Sequence, residues 1–279
     1  MLAASGHGES GAARKAAPRA SSRPRRPARA VELARSTRGL LARVLRPPVK
    51  LEDEYLDWLM LANAGMQVPG NLHLFDLAIA AAPPAPMLEI GSFCGLSTNI
   101  IGYLKAKHGR DEPLFSCDRW RFEGADKPLP DAAPVTREEI REFVIASFEH
   151  AVRTFSPTAL PFALELSSDE FFELWTARGH ARDRFGREVG LGGELGFAFI
   201  DGNHTYEYAM RDFANCDEHL VPGGLLLFDD SDDAGSWEVR EVIREVRRSG
   251  RYEVVAKNPN YLLRKLPAAP APPWPPVRS

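Results

Sequence analysis

The chain has 279 residues, 44% of them hydrophobic, which is enough for a sizeable buried core, and its net charge is only −3. Its three cysteines are far apart and form no Cys-x-x-Cys pair, which argues against a disulfide framework or a zinc site and favours a reducing, cytoplasmic compartment. No apolar run approaches the length of a membrane-spanning helix, and the N-terminus lacks the apolar segment of a secretory signal.

The charge is unevenly distributed along the chain. Residues 1–50 hold 12 Lys and Arg against 2 Asp and Glu, whereas the remainder is strongly acidic. Residues 1–46 are rich in Ala, Arg, Pro and Ser, so we expect a basic disordered arm, with a short helix possible over 31–45. A transit peptide or a segment that attracts nucleic acid or acidic lipid are the alternatives. No aromatic residue separates the arginines, which favours a solvated tail.

From residue 47 onwards, the apolar periodicity predicts alternating elements. Two helices, at 51–64 and 72–81, form a predicted N-terminal helical segment over residues 47–85. A domain over residues 86–266 follows, with predicted strands at 86–90, 114–118, 161–166, 197–201, 225–228, 252–256 and 261–265. Its predicted helices are 96–107, 137–155, 169–178, 206–219 and 237–248. Residues 267–279 form a proline-rich tail, for which an extended conformation is expected.

The alternation of strands and helices predicts an α/β fold with a doubly wound, mostly parallel sheet. The last two strands are separated by only a short turn, which predicts a C-terminal antiparallel hairpin at the edge of that sheet. Two stretches, 121–136 and 179–194, interrupt the rhythm and are rich in Gly, Pro and charge. Loops of this length are often lids or substrate-recognition segments.

The first predicted strand contains a charge and ends in a glycine-bounded turn. Gly91 and Gly95 flank the turn, and glycine lets a backbone approach a ligand closely where a helix begins. The spacing differs from that of dinucleotide-binding and P-loop motifs, and an ordinary strand-to-helix turn explains it equally well. Glu89, inside the strand, is costly to bury unless it is paired. It therefore orders the turn or faces a cationic ligand.

Two later strand ends carry weaker signals. Asp118 follows the second strand, where a carboxylate is placed to bind ribose hydroxyls, although a solvated strand-end aspartate is an equal alternative. Ser168 follows the third strand. Its simplest interpretation is the N-cap of the next helix, and a contact with an adenine ring is the functional alternative.

The strongest signal is a set of acids at two further strand ends. The apolar strands at 197–200 and 225–228 run into Asp201 and into the pair Asp229 and Asp230. Carboxyl ends of adjacent parallel strands meet at one edge of a sheet, so these oxygens predict a site for a hard divalent cation such as Mg²⁺. His204 lies three residues after the first acid and is a candidate base. A packing histidine at the start of a helix is the alternative.

In this order, the segments resemble a class I S-adenosylmethionine-dependent methyltransferase. The resemblance rests on EIGSFCG at 89–95, Asp118, FIDGNH at 199–204 with Tyr206 and Asp212, PGG at 222–224 and FDD at 228–230. More narrowly, they resemble the macrocin-type sugar O-methyltransferases and their bacterial relatives, a group related to the metal-dependent catechol-type enzymes. The resemblance covers residues 69–265.

The resemblance implies S-adenosylmethionine and Mg²⁺ as cofactors. It assigns Mg²⁺ to Asp201, Asp229 and Asp230, and the role of base to His204. The residues expected at the organic cofactor are Glu89, Gly91, Ser92, Gly95 and Asp118, to which the adenine alternative adds Ser168.

The chain is therefore expected to be a cytoplasmic O-methyltransferase that acts on a hydroxyl of a sugar or phenolic natural product. Two alternatives stay open: a non-catalytic methyltransferase-like binding module of a biosynthetic pathway, and a nucleic-acid methyltransferase. The acidic body disfavours nucleic acid as a partner. No membrane span is expected, and a homo-oligomer is possible.

Overall fold

A computed structural model of the protein describes residues 49–121, 130, 133–267 and 274. Seven helices lie in this part of the chain: α1 (Glu54–Ala62), α2 (Pro69–Ala81), α3 (Leu96–Lys107), α4 (Arg137–Phe155), α5 (Ser168–Thr176), α6 (Tyr206–His219) and α7 (Val239–Arg248). The strands are β1 (Met87–Ile90), β2 (Leu114–Cys117), β3 (Phe162–Leu164), β4 (His180–Arg182), β5 (Glu188–Gly190), β6 (Leu195–Ile200), β7 (Leu220–Phe228), β8 (Tyr252–Lys257) and β9 (Tyr261–Lys265).

Seven of the strands form one sheet in the order β3-β2-β1-β6-β7-β9-β8. The neighbouring strands β3, β2, β1, β6 and β7 pair in parallel, while β9 pairs antiparallel with both β7 and β8. The predicted α/β fold, a doubly wound and mostly parallel sheet with an antiparallel hairpin at its edge, is confirmed. The order reverses between β1 and β6, and ligands in such sheets bind beyond the strand ends at this point.

Helices cover both faces of the sheet, and successive side chains along each strand point to opposite faces, so both sets are buried. Odd-numbered residues such as Met87, Phe197 and Leu225 pack with α1, α2 and α3 in one apolar cluster. Their even-numbered neighbours, such as Leu88 and Ala198, pack with α5, α6 and α7 in a second cluster. This double burial explains why the central strands are continuous apolar runs instead of alternating ones.

Local capping explains where several helices begin. The side chain of Asp53 accepts a hydrogen bond from the backbone of Leu56 at the start of α1. Thr136 and Glu139 form a reciprocal capping box at the start of α4, which begins at the predicted residue. These contacts satisfy N–H groups that a helix leaves unpaired at its first turn.

The segment 179–194 differs from the expected irregular loop. It contains a two-stranded antiparallel hairpin, β4–β5, whose turn is organised by the buried carboxylate of Asp183. Val189 and Leu191 bury their side chains against the cluster formed by α5, α6 and α7. The segment is therefore ordered by its own turn and by packing against the core. Its content of Gly and charged residues had instead indicated an irregular loop.

Three other predictions meet the limits of the described residues. The basic arm, residues 1–46, lies outside them, as does most of the interruption at 121–136. Of the proline-rich tail, Trp274 is described: its Nε1 donates to Asp217 Oδ2 at 2.6 Å, and its ring packs edge-on against Phe213. No helix among the described residues combines the length and apolarity needed to cross a membrane.

Candidate functional site

The candidate site lies beyond the carboxyl ends of β1, β2, β6 and β7. These four strands lie side by side in the sheet, in the order β2-β1-β6-β7. Ile90, the last residue of β1, is in register with Cys117 of β2 and Ile200 of β6. Ile200 is in turn in register with Phe228 of β7. The residues that follow these four positions are therefore brought together at one edge, as the sequence predicted.

The two predicted glycines are required by the protein's own packing. Gly91 has φ +87°, and a Cβ there would lie 2.0 Å from the carbonyl oxygen of Asp201. Gly95 has φ +86°, and its Cβ would press on Phe148 and Val152 of α4. Both backbone conformations favour glycine. The close approach predicted for a ligand at Gly91 is thus already made by the loop after β6.

Glu89 is fully buried in β1 and is held by hydroxyl groups. Its Oε2 accepts from Thr98 Oγ1 at 2.6 Å and from Ser116 Oγ at 2.7 Å. Burial raises the pKa of Glu89 to about 7, against the lowering effect of the hydroxyls of Ser97, Thr98 and Ser116. Its Oε1 is also buried and has no hydrogen-bond partner among the described residues. A buried acceptor without a donor leaves room for an ammonium or hydroxyl group of a ligand.

Asp118 organises the turn after β1 through backbone hydrogen bonds. Its Oδ2 accepts from the amides of Ser92 at 2.9 Å and Phe93 at 3.0 Å, and its Oδ1 from the amide of Trp120 at 2.6 Å. Burial raises the pKa of Asp118 while these amides oppose the shift. The side chain of Ser92 is bonded to Ser116, so Ser92 is tied to β2 through its hydroxyl as well as to Asp118 through its amide.

Sequence reasoning missed two strained aromatic residues at this turn. Phe93 has φ +43° and Trp120 has φ +47°, a left-handed conformation that bulky residues rarely adopt. The indole Nε1 of Trp120 donates to the carbonyl of Phe93 at 2.9 Å, which links the turns after β1 and β2. Such strain is concentrated at functional sites. No sequence signal marks it, because neither residue favours this conformation.

Ser168 does not cap α5, so that interpretation was wrong. Ser167 is the N-cap and forms a capping box with Glu170. Ser168 hydrogen-bonds instead to the buried carboxyl of Asp212 on α6, whose pKa burial raises to about 7. The predicted cap was displaced by one residue because Ser167 and Ser168 are both good capping residues.

The acids after β6 and β7 come together as predicted. Asp201 and Asp229 lie within hydrogen-bonding distance of each other. Burial raises the pKa of Asp201 well above its ordinary value, and the negative charge of Asp230 raises it further. Burial raises the pKa of Asp229 in the same way, with added effects of Asp201 and Asp230. Acids crowded in this way are stabilised by a nearby cation.

His204 lies between the acids of the two strand ends. Its Nε2 is 3.4 Å from Asp201 Oδ1, and its Nδ1 is 3.5 Å from Asp230 Oδ2. Its ring is 5.3 Å from that of Trp237, in the loop between β7 and α7. Asp230 itself has φ +47°, a conformation that Asp tolerates better than most residues. The imidazole is thus placed between carboxylates and beside an aromatic wall.

Three amide side chains that the sequence did not single out contact these acids. Asn71 and Asn260 each donate to Asp229 Oδ1 at 2.7 Å. Gln67 donates to Asp201 Oδ2 at 3.2 Å. Gln67 and Asn71 lie before β1, 134 and 158 residues from the acids that they contact, and Asn260 lies after β8, 31 residues from Asp229. Because no local motif links such distant positions, a pattern search along the chain could not have found them.

The chemical types of the donor groups suit both implied cofactors, but the described side chains are not arranged around a metal ion. Among residues 49–121, 130, 133–267 and 274, no group of three or more His, Cys, Asp or Glu side chains could hold a metal ion as it is arranged. The carboxylate oxygens of Asp201, Asp229 and Asp230 are nevertheless the ligand type that Mg²⁺ prefers, and Asp229 is only 7% exposed. The unpaired Glu89 Oε1 suits a cationic or hydroxyl donor of the organic cofactor.

Comparison with known proteins supports one family. A family model described as "Methyltransferase domain" matches residues 88–231, which is more than half of the chain. This span contains the turn after β1 and all three acids after β6 and β7. No curated protein sequence matches the chain significantly.

Several solved structures match the chain at low sequence identity. The O-methyltransferase NovP is 16% identical, with 85% of this chain and 98% of that chain covered and a TM-score of 0.46. An O-methyltransferase from Bacillus cereus in complex with SAH is 13% identical, with 84% and 99% covered and a TM-score of 0.45. The calicheamicin methyltransferase CalS11 is 14% identical, with 88% and 99% covered and a TM-score of 0.45. On the family match and its own sheet topology, the chain belongs to the methyltransferase-domain family and is a class I S-adenosylmethionine-dependent methyltransferase.

Proposed function

We propose that the protein is a Mg²⁺-dependent O-methyltransferase that methylates a hydroxyl group of a sugar or phenolic natural product, as the macrocin-type enzymes do. The observation that carries this proposal is the position of His204 between Asp201 and Asp230, 3.4 Å and 3.5 Å from their carboxylates. A hydroxyl needs to lose its proton before or during its attack on the methyl group. The imidazole would serve as the base for this proton, and the neighbouring carboxylates would bind the cation.

In this proposal, Asp201, Asp229 and Asp230 would hold Mg²⁺. Glu89, Asp118 and the turn from Gly91 to Gly95 would hold S-adenosylmethionine. When bound, the organic cofactor supplies a methyl group on a positively charged sulfur, and the metal favours the ionised form of an acceptor hydroxyl.

The protein's own side chains then supply alignment and proton transfer. His204 would accept the acceptor's proton at the ring nitrogen that faces the hydroxyl. Trp237, beside His204, would provide an apolar face for the acceptor ring and help to exclude water. The turn after β1 approaches the loop after β6 so closely that a Cβ at Gly91 would overlap Asp201. The methyl donor and the acceptor would therefore lie side by side.

The proposal is tested by a methyl-transfer screen. The protein would be incubated with S-adenosylmethionine and Mg²⁺ and with sugars, glycosylated metabolites and catechols, with single-stranded and duplex nucleic acid as a separate arm. We expect methylated hydroxyls in the small-molecule arm and loss of product after chelation of the metal. Methylation of nucleic acid alone, or cofactor binding without turnover of any acceptor, would contradict the proposal.

A further inference from the structure

The family match ends at residue 231, but groups that contact the candidate site lie beyond both of its ends. Gln67 precedes α2, Asn71 lies in its first turn, and Asn260 lies in the turn between β8 and β9. We call these three residues the amide clamp. Asn71 is 0% exposed and Asn260 is 3% exposed, so their amide groups have been removed from water. Buried amides are costly unless their donors and acceptors are all matched.

The orientation of the clamp follows from one backbone N–H group, which can only donate a hydrogen bond. Ser231 N donates to Asn260 Oδ1 at 3.0 Å, which identifies that atom as the oxygen. Asn260 Nδ2 must then point the other way, and its two hydrogens reach Asp229 Oδ1 at 2.7 Å and Asn71 Oδ1 at 3.0 Å. The orientation of the Asn260 side chain is therefore dictated by the main chain directly after the acids.

The same reasoning extends through the other two amides. Because Asn71 presents its oxygen to Asn260, its Nδ2 faces Asp229 Oδ1 at 2.7 Å and Gln67 Oε1 at 2.9 Å. Gln67 therefore presents its Nε2 to Asp201 Oδ2, at 3.2 Å. One N–H group at the end of β7 thus determines the orientation of three amides, each of which directs a donor at an acid.

We propose that the amide clamp is a set of positioning residues that fixes the rotamers of Asp229 and Asp201 for metal binding and catalysis. This inference rests on the proposed function, because it assigns the clamp to that same site. Two donors converge on Asp229 Oδ1, so that oxygen is committed to the clamp. Outer partners of this kind hold ligating carboxylates in place, and their loss typically lowers metal affinity by about 10- to 100-fold.

The clamp also makes the site depend on elements outside the matched domain. Asn258 Nδ2, in the same turn as Asn260, donates to the carbonyl of Gly70 on α2 at 3.0 Å. The helix that carries Asn71 and the turn that carries Asn260 are therefore joined directly as well as through Asp229. Both α2 and the β8–β9 hairpin therefore hold the clamp in place beside Asp229.

The test compares Asn71→Leu with a matched control, Asn99→Leu. Asn99 is also a buried asparagine, 1% exposed, but its side chain hydrogen-bonds to Asn63 and Ser156 instead of to Asp201 or Asp229. Calorimetric titration with Mg²⁺ alone should show affinity weakened by about tenfold or more in Asn71→Leu and nearly unchanged in Asn99→Leu. Thermal melting of both variants shows whether they lose similar stability.

Equal weakening in the two variants at similar loss of melting temperature would overturn the inference, as would normal Mg²⁺ affinity in Asn71→Leu. If Asn71→Leu does not fold, Gln67→Met serves instead, because Gln67 precedes α2 and is only partly buried. That variant should weaken Mg²⁺ binding several-fold, and unchanged affinity would again overturn the inference.

A wild-type protein that transfers methyl groups without taking up Mg²⁺ would contradict the metal in the proposed function and not the clamp. The clamp is then judged on kcat at saturating cofactor and acceptor. A fall of about tenfold or more in Asn71→Leu, with KM for S-adenosylmethionine unchanged, would uphold a positioning role. Unchanged kcat would overturn it.

Discussion

The two halves of the candidate site satisfy their buried acids in different ways. In the half formed by β1 and β2, Glu89 and Asp118 accept hydrogen bonds from hydroxyls and backbone amides within 30 residues of themselves. In the half formed by β6 and β7, Asp229 and Asp201 accept from side-chain amides that are 31 to 158 residues away.

This difference indicates how independently each half forms. In the half at β1 and β2, these hydrogen-bond partners of the acids are local, on β2, on α3 and in the turns after β1 and β2. The half at β6 and β7 is assembled from three separate parts of the chain and is completed only when α2 and the β8–β9 turn have docked. Substitutions in the two halves should therefore have separable effects on cofactor binding and on turnover.

The largest effect is expected from Asp229→Asn. It removes a charge from the proposed metal site and sets an NH₂ group against the amides of Asn71 or Asn260. Loss of metal-assisted stabilisation of the reacting oxygen should lower kcat by about a thousandfold or more. Affinity for S-adenosylmethionine, measured by calorimetry, should remain close to wild type. A parallel collapse of cofactor affinity would show that the two halves are not separable.

His204→Ala should lower kcat by roughly a hundredfold or more, since a positioned base contributes about 10²–10⁴ to a rate. The imidazole contacts Asp201 and Asp230, which are proposed for the metal and not for S-adenosylmethionine. Cofactor binding should therefore be unchanged in a direct titration. Wild-type turnover in this variant would leave His204 as a packing partner of Trp237 and assign proton loss to water.

Asp118→Asn tests the half at β1 and β2. The carboxylate accepts three backbone N–H bonds, and an amide group in its place would oppose at least one of them. A hydrogen bond to a charged group contributes about 1.5–3 kcal/mol, so affinity for S-adenosylmethionine should fall by about 10- to 100-fold. Mg²⁺ affinity, titrated separately, should be retained. A matching loss of Mg²⁺ binding would argue that the turn supports both halves.

Glu89→Gln should change how stability depends on pH. The pKa of Glu89 is raised to about 7 in the folded protein from 4.5, so the folded state retains the proton to higher pH. Its contribution to the free energy of unfolding is therefore complete below about pH 4.5 and declines as the pH rises to about 7. The amide introduced by the substitution has no proton to lose, so the melting temperature of the cofactor-free variant should decline less between about pH 5 and 8. Identical slopes would show that Glu89 is ionised throughout.

Sequence reasoning succeeded where partners are close along the chain. Strand-terminal acids, glycine turns and helix periodicity are local, and they correctly placed Glu89 in β1 and the other four acids just after the ends of β2, β6 and β7. The roles assigned to these acids stay predictions. Sequence reasoning failed where three-dimensional contacts decide. The requirement for Gly91 comes from the carbonyl of Asp201, 110 residues away, and the amides of Asn71 and Asn260 become site residues only once the sheet has formed. The β4–β5 hairpin was missed because its short strands carry little periodicity.

The smallest effect is expected from shortening the N-terminus. This change tests how far towards the N-terminus the chain supports the half at β6 and β7. Val49 exchanges two hydrogen bonds with the side chain of Asn258, at 2.8 Å and 2.7 Å, and Asn258 shares a turn with Asn260. A chain that begins at Pro47 retains this contact and should show wild-type melting temperature, Mg²⁺ affinity and kcat. A chain that begins at Glu52 loses it, and because a net hydrogen bond contributes about 1 kcal/mol, it should melt a few degrees lower and bind Mg²⁺ slightly less tightly. Equal melting temperatures and Mg²⁺ affinities in the two shortened chains would show that Val49 does not support the turn. A large fall in melting temperature in the chain that begins at Pro47 would show that residues 1–46 contribute to the stability of the rest of the protein.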